Sequence, residues 1–367
     1  MVKLATPRSP QEIGPEWLTD ALRAGGVIKS ANVIKVEPTI IGAGAGFLGQ
    51  LAKLAVTYDR AEAGAPASII AKLPTLDPGG RQVANMLRFY EREVMFYREL
   101  SPAISLPVPK LYYSAMDVEG DEYLLLLQDL APAKEGDEAT GVSVEDAELA
   151  IRSLAQFQAD WWQSPRLAQM AWMPYVNDPV NCAAQDSYQQ AWGPFCQLFG
   201  DALSPRMMAL GEEMQQKVIA LLNAVAPEPR TILHGDFRGD NVFYGDGKTA
   251  PRFSVIDWQI TNKGRGVFDV AYFLATSVTP EVRREHEMRL IRLWHDIISD
   301  KNDTKDYPYE AAVHDYRVSS LFMHVYTVVA LGTLDMANER GVMLFNEWLR
   351  RRVAAIDELD CYELMPP

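Results

Sequence analysis

The chain has 367 residues, of which 48% are hydrophobic and 23% are charged, and its formal net charge is −14. This composition is typical of a soluble globular protein and excludes a disordered chain, a collagen and a coiled coil. The negative charge disfavours nucleic acid and anionic membrane surfaces as partners. The length allows two to three domains or one large unit of two lobes.

Cysteine usage and hydropathy give further exclusions. The three cysteines, Cys182, Cys196 and Cys361, lie far apart without metal-ligand spacing, so we expect neither disulfides nor zinc. The first ten residues lack the apolar core of a signal peptide. The longest apolar stretch, residues 318–332, is too short and too polar to cross a bilayer. We therefore predict a cytoplasmic protein with no membrane partner.

The predicted elements divide the chain into two parts. The N-terminal third alternates strand patterns with one strong helix, and the remainder is mainly helical apart from one short hairpin. The predicted N-terminal elements are a helix at 15–24, strands at 33–41, 52–58 and 67–73, a helix at 83–100, and strands at 108–116 and 123–127. We predict an α+β protein with a small lobe at 1–129 and a larger, mainly helical lobe at 130–367.

A glycine-rich loop lies between the first two predicted strands. Gly44, Gly46 and Gly49 match the spacing of a dinucleotide fingerprint, but that fingerprint must precede a helix, and here a strand follows. A glycine loop between antiparallel strands is instead the arrangement with which kinases cover the phosphates of ATP. An ordinary turn remains the alternative interpretation.

Lys72 lies in the middle of the third predicted strand, between Ala71 and Leu73. A buried ammonium group needs a negative partner, which would be a phosphate or a carboxylate. The following helix offers Glu91 and Glu93, of which Glu93 shares a face with two phenylalanines and should point inward. The alternative is a lysine at the strand edge with its ammonium group in solvent.

The sequence His234-Gly-Asp-Phe-Arg-Gly-Asp-Asn241 follows an apolar strand. The carboxylate of Asp236 and the carboxamide of Asn241, five residues apart, could divide two tasks: accepting a hydroxyl proton and binding Mg²⁺. Asp257 ends a second apolar strand sixteen residues later, where a carboxylate can chelate metal between phosphates. Each of these residues could instead be a turn or cap residue, but the order and spacing together favour chemistry.

Asp269 precedes an apolar helical segment, and we expect it to cap that helix. A buried carboxylate at this position could also hold backbone amides of the loop at 234–241. Asp240, inside that loop, is expected to be solvated.

Taken in this order, the glycine loop, Lys72, Glu93, the loop at 234–241 and Asp257 resemble the aminoglycoside phosphotransferase and choline kinase-like superfamily. Several segments are closer to its ecdysteroid kinase-like branch: 15–19, 93–97, 257–259 and 264–274. The resemblance extends from about residue 11 to at least residue 274. One position departs from it, because many relatives carry a histidine where this chain has Gln158.

The resemblance implies a bilobal eukaryotic protein kinase-like fold and phosphorylation, with ATP and Mg²⁺, of a hydroxyl group on a small molecule. It implies a catalytic set of Asp236, as the base, and His234, with Mg²⁺ held by Asn241 and Asp257. The nucleotide-binding residues that it implies are Gly44, Gly46, Gly49, Lys72, Glu93 and the hinge residues Gln128, Asp129 and Leu130.

Asp257 and Asp269 are only twelve positions apart, which leaves no room for the segment with which a protein kinase seats a peptide. A protein substrate is therefore not expected. A non-catalytic nucleotide-binding module is the alternative to an enzyme. Tryptophans in 161–195 favour an uncharged, fairly apolar alcohol as acceptor, whereas the acidic composition would suit an aminoglycoside.

Overall fold

The computed structural model describes residues 4–42, 49–331 and 339–367, so the predicted phosphate-loop residues Gly44 and Gly46 lie outside the described residues. The protein is α+β, with an antiparallel sheet in its N-terminal region and a helical C-terminal region, which confirms the predicted fold class. It divides into two compact units, Met1–Pro132 and Ala133–Pro367.

The first unit contains a five-stranded antiparallel sheet in the order β1-β2-β3-β5-β4. Its strands are β1 (Val33–Ile41), β2 (Gly49–Tyr58), β3 (Ser68–Pro74), β4 (Leu111–Asp117) and β5 (Glu122–Gln128). Its helices are α1 (Pro15–Ala24), α2 (Pro78–Met86) and α3 (Phe89–Met95), and a π-helical turn (Phe96–Leu100) extends α3.

The single helix predicted over 83–100 is divided in two. Arg88 adopts a left-handed conformation, with φ of 58°, between α2 and α3. The Arg88 guanidinium donates to Glu91 at 2.7 and 2.8 Å, which ties this junction to the first turn of α3. The break gives α3 its own direction, and α3 carries Glu93.

Alternation along β3 separates its apolar side chains from Lys72. Ile69, Ala71 and Leu73 are fully or almost fully buried in a core shared with β2 and α1. Because successive side chains of a strand point to opposite faces, Lys72 lies on the other face of the sheet.

The second unit is mainly helical. Its helices are α4 (Val144–Asp160), α5 (Pro179–Cys182), α6 (Ala184–Phe199), α7 (Pro205–Met214), α8 (Val218–Val225), α9 (Val267–Thr276), α10 (Pro280–Lys301), α11 (Tyr309–Ala330) and α12 (Glu339–Glu358). Its short strands are β6 (Lys134–Glu135), β7 (Thr231–Leu233), β8 (Val242–Tyr244), β9 (Phe253–Val255) and β10 (Asn262–Gly264). Strands β6, β8 and β9 form one antiparallel sheet, and β7 pairs with β10.

The loop at 234–241 is positioned by the pairing of these short strands. It begins where β7 leaves its pairing with β10, and it ends where β8 enters the hairpin with β9. Helix α9, in which every residue is buried, packs close to the loop. Within the described ranges, no helix is both long enough and apolar enough to span a bilayer.

Candidate active site

Lys72 and Glu93 form an ion pair in the first unit. The Lys72 ammonium lies 2.8 Å from Glu93 Oε2 and 2.9 Å from Oε1, so the partner predicted from the sequence is present. The Glu93 side chain is 3% exposed and that of Lys72 is 19% exposed. The buried carboxylate fixes the ammonium group, which keeps some access to solvent.

Gly49 begins β2 beside this lysine. A Cβ atom there would lie 3.1 Å from the carbonyl oxygen of Leu73 and 4.0 Å from Cε of Lys72. The absence of a side chain therefore leaves space beside the lysine stem. Such space suits the close approach of a ligand to the backbone.

The predicted hinge residues follow β5. The backbone N–H of Gln128 donates to the carbonyl of Lys110 at 2.9 Å. The Asp129 carboxylate accepts from Ser68 at 2.6 Å and pairs with Lys53 at 2.8 Å, and Leu130 is buried. Asp129 thus anchors the segment to β2 and β3, and the adenine contact remains a prediction.

In the second unit, the turn that carries Asp236 requires a glycine. Gly235 has φ of +85°, and a Cβ atom there would lie 2.4 Å from the carbonyl oxygen of Ile260. An L side chain would be strained in that conformation and would collide with the backbone. The glycine lets the chain reverse directly after β7 and present Asp236, which is 9% exposed.

Asn241 holds Asp236 through its amide nitrogen. The Nδ2 atom of Asn241 donates to the backbone carbonyl of Asp236 at 2.9 Å and to Oδ2 of Asp236 at 3.0 Å. Because its nitrogen is used in this way, the amide oxygen of Asn241 is the atom that can bind a cation. The two residues that the sequence analysis paired are therefore in direct contact.

His234 is buried, and both of its ring nitrogens are bonded within the protein. Nε2 lies 2.8 Å from the carbonyl oxygen of Ile256, and Nδ1 accepts from the backbone N–H of Asp236 at 3.2 Å. Burial lowers the pKa of His234, so the ring is neutral and carries its proton on Nε2. This geometry favours a positioning role over the catalytic role that we predicted for it.

Asp269 holds the start of the loop and does not cap its helix. Its two carboxylate oxygens accept from the backbone N–H groups of His234, at 2.8 Å, and Gly235, at 3.0 Å. The residue at the N-terminus of α9 is Gly266, which has no side-chain cap. The cap interpretation was wrong, and the alternative, a buried carboxylate on the loop amides, is correct. Burial raises the pKa of Asp269 to about 7.

Asp257 follows β9 in a left-handed conformation, with φ of 64°. The neighbouring Ile256 N–H donates to the backbone carbonyl of Asn241 at 2.9 Å, which joins the two segments that carry the predicted metal ligands. Trp258 is fully buried against His234, with ring centroids 4.6 Å apart, and this anchors the turn.

The donor set at Asn241 and Asp257 fits Mg²⁺. Magnesium takes oxygen ligands and retains several waters, so one or two protein oxygens suffice when a nucleotide supplies the others. Across the parts of the chain that the structure describes, no group of three or more His, Cys, Asp or Glu side chains could hold a metal alone.

Arg238 is a site residue that the sequence analysis missed. Its guanidinium lies 2.8 Å from Glu138 Oε2 and 3.3 Å from both Asp236 and Asp240. Asp240 also accepts from the backbone N–H of Glu138 at 3.2 Å, so the solvated position that we expected for it was wrong. Glu138 is fully buried although it belongs to an acidic stretch that looks like a linker, and no local signal marks its burial.

Two groups of aromatic residues lie within 161–195. Trp162 packs against Trp294 and Tyr307. Trp192 and Phe195 of α6 stack on each other and face His324 of α11. A role of these residues in binding an acceptor stays a prediction.

Comparison with known proteins identifies the family of the chain. Residues 43–305 match the model of the ecdysteroid kinase-like family. Among curated proteins, none matches the sequence.

Three solved structures have a similar fold. A Ralstonia eutropha JMP134 protein assigned as an aminoglycoside phosphotransferase is 14% identical, with a TM-score of 0.53, over 95% of this chain and 98% of that one. The ethanolamine kinase of Plasmodium vivax is 12% identical, with a TM-score of 0.52, over 91% and 85%. The GDP complex of aminoglycoside 2'-phosphotransferase-IIIa is 13% identical, with a TM-score of 0.52, over 90% and 97%. At such identities, the likeness concerns the fold.

Proposed function

The chain belongs to the ecdysteroid kinase-like family, and we propose that it transfers a phosphoryl group from ATP to a hydroxyl group of a small molecule. The observation that carries the proposal is the contact between Asp236 and Asn241. It joins a partly accessible carboxylate to a carboxamide whose oxygen is left for a cation.

In this proposal, Asp236 accepts the proton of the acceptor hydroxyl. A hydroxyl group is a weak nucleophile near neutral pH, and a carboxylate within hydrogen-bond reach orients it and takes its proton. Asn241 and Arg238 fix the Asp236 carboxylate from two sides, at 3.0 and 3.3 Å. Asp269 and His234 fix the backbone of the turn, so they are positioning residues.

ATP and Mg²⁺ would supply the phosphoryl group and neutralise its charge during transfer. Lys72 would contact the phosphates, and its ion pair with Glu93 supports this role by holding the ammonium group in one place. The amide oxygen of Asn241 and the carboxylate of Asp257 would hold the metal. Gly49, with Gly44 and Gly46, would cover the phosphates, and the segment Gln128 to Leu130 would follow the adenine.

We propose a fairly apolar alcohol as the acceptor, in preference to an aminoglycoside. A polycationic acceptor would need several unpaired carboxylates near Asp236. Among the described residues near Asp236, Glu138 and Asp240 pair with Arg238, and Asp269 is bonded to the amides of His234 and Gly235. Aromatic side chains from α6 and α9 instead support an apolar body.

The test is a screen for acceptor-dependent ADP release with Mg²⁺, across sterols, terpenoids, macrolides, aminoglycosides and choline, beside calorimetric ATP binding. We expect ATP binding and one responsive class of apolar alcohols. ATP binding without any turnover would favour the non-catalytic nucleotide-binding module. A response confined to aminoglycosides would favour that acceptor, and no binding of nucleotide would contradict the proposal.

A further inference from the structure

Two buried polar side chains on neighbouring helices lack the partners that buried polar groups normally have. They are Arg352 on α12 and His324 on α11, which are 2% and 0% exposed. From them we propose that the acceptor is an alcohol that also carries a carboxylate, which Arg352 binds. The proposal rests on the proposed function, because it names the substrate class of the same site.

Arg352 is a buried cation without a counter-charge. Among the described residues, no carboxylate lies within ion-pair distance of its guanidinium. The Nη1 atom of Arg352 donates a hydrogen bond to Thr327 Oγ1 at 2.7 Å, and its Nε has no partner. Neighbouring Arg351 also has an unpartnered Nε, but its guanidinium donates to two backbone carbonyls and lies 3.5 Å from the carboxylate of Glu347. An unpaired buried charge is costly, so its presence in a packed helix interface indicates a missing anion.

His324 is a second buried polar side chain that lacks hydrogen-bond partners. Neither of its ring nitrogens has a hydrogen-bond partner, although the ring is fully buried. It lies one helical turn before Thr327, so the two share the face of α11 that meets Arg352. A neutral imidazole can donate one hydrogen bond, and a carboxylate held by Arg352 offers a second oxygen to receive it.

The surroundings of these two groups are aromatic. Phe345, Trp348 and Arg352 share one face of α12 by their spacing. Phe345 packs against Phe195 and Phe199 of α6. The rings of Tyr188, Trp192 and Phe195 in the same helix pack against His324. An apolar body with an acidic group suits this combination better than a neutral alcohol, which would leave the guanidinium uncompensated.

Tyr272 connects Arg352 to the candidate base. The nearby Asp236 carboxylate helps to raise the pKa of the buried Tyr272 phenol, after burial itself. The guanidinium carbon of Arg352 lies over the Tyr272 ring, 5.2 Å from the ring centroid. The ring of Trp348 lies between Arg352 and Arg238. Its centroid is 5.8 Å from the guanidinium carbon of Arg352 and 5.3 Å from that of Arg238. An acceptor with its hydroxyl group at Asp236 and its carboxylate at Arg352 would therefore be about as long as a tyrosine side chain.

Binding of octanoate and octanamide, measured by calorimetry, tests the proposal without nucleotide or turnover. The two probes differ in charge at the head group, so octanoate should bind more tightly. Arg352→Met should weaken octanoate binding about 10- to 100-fold, which is the usual loss of affinity when a hydrogen bond to a charged group is removed. The affinity for octanamide should not change. Arg350→Met, on the exposed face of the same helix, is the control and should have no effect.

Thermal unfolding of Arg352→Met gives a second readout. Removing a buried charge that has no carboxylate partner should leave Tm unchanged or raise it. Octanoate that binds no better than octanamide, or not at all, overturns the proposal, as does a marked fall in Tm. Weaker ATP binding in Arg352→Met with unchanged octanoate binding would also overturn it, because the guanidinium would then serve the nucleotide.

Activity separates this inference from the proposed function. Hydroxyoctanoate should stimulate ADP release more than its methyl ester, and Arg352→Met should remove the difference. Carboxylate binding without any phosphoryl transfer would contradict the proposed function only. Transfer to neutral alcohols that is insensitive to Arg352→Met would contradict this inference only.

Discussion

The carboxamide nitrogen of Gln158 lies 3.1 Å from Oδ2 of Asp269, and both side chains are fully buried. The same nitrogen donates to the Gly266 carbonyl at 3.1 Å, and the amide oxygen accepts from Trp294 Nε1 at 2.7 Å. Gln158 thus connects α4 and α10 to the carboxylate that holds the turn before Asp236. The residue that departs from many relatives occupies a structural position behind the site.

Gln158→Leu should destabilise the protein and lower turnover. It leaves the Trp294 N–H without a partner and removes one of the two hydrogen bonds to Oδ2 of Asp269, which should reduce the free energy of unfolding by about 1–3 kcal/mol. Urea unfolding measures this change, and Gln156→Leu, on the exposed side of the same helix, is the control. Equal stability of the two variants would contradict a structural role for Gln158.

The sequence predicted the loop at 234–241 well because its functional groups are neighbours in the chain. A loop of eight residues brings Asp236 and Asn241 together because they are only five positions apart in the chain. The ion pair of Lys72 and Glu93 was also predictable, because a charged residue inside an apolar strand requires a partner on the adjacent helix.

The sequence could not predict roles that depend on distant packing. Asp269 has the sequence pattern of a helix cap, and only the fold brings the His234 amide within 2.8 Å of it. Glu138 and Arg352 lie 100 or more residues from Arg238 and Asp236 along the chain. Their burial results from the packing of α12, which no local pattern specifies.

Lys72 should be required for nucleotide binding or turnover. Removing it alone takes the ammonium group away from the buried carboxylate of Glu93, a change that costs about 3–5 kcal/mol in stability. The informative variant is therefore Lys72→Met with Glu93→Gln. Its turnover should fall about 10²–10³-fold, which is the usual decrease in rate when one positioned electrostatic contact is removed.

Steady-state kinetics and calorimetry with ATP check this expectation. Lys53→Met is the control, because Lys53 is a partly exposed lysine of β2 that pairs with Asp129. Normal ATP kinetics in the folded double variant would exclude Lys72 from the nucleotide site.

Activity should require a divalent cation, and Asp257 should supply its carboxylate ligand. Asp257→Asn removes the charge and should raise the Mg²⁺ concentration for half-maximal activity about 10- to 100-fold. Titration of turnover with Mg²⁺ measures the change. Asp246→Asn, in the exposed turn between β8 and β9, should leave the titration unaltered. An unchanged Mg²⁺ requirement in Asp257→Asn would place the metal elsewhere.

His324 should make the protein less stable as the pH falls. Burial, with Arg352 nearby, lowers the pKa of His324 from 6.5 to about 3, and the ring of Tyr188 that packs against it stays neutral. Below about pH 6.5, His324 binds a proton in the unfolded chain but not in the folded protein. The free energy of unfolding therefore has its full value above that pH and declines as the pH falls toward 3.

The comparison of wild type with His324→Phe isolates this contribution. Between about pH 7.5 and pH 5, the wild type should lose about 2 kcal/mol more of its free energy of unfolding than the variant. Urea unfolding at the two pH values measures the difference. Parallel pH profiles of the two proteins would mean that His324 is protonated or paired in the folded state.

Asp236→Asn tests the central claim, that the Asp236 carboxylate takes the acceptor proton, most directly. The variant keeps the size of the side chain and removes the base, so turnover should fall about 10²–10⁴-fold. ATP affinity, measured by calorimetry, should change little, and Asp240→Asn is the matched control from the same loop. A near wild-type rate in Asp236→Asn would contradict the claim, and so would a loss of ATP affinity that accounts for the whole fall in rate.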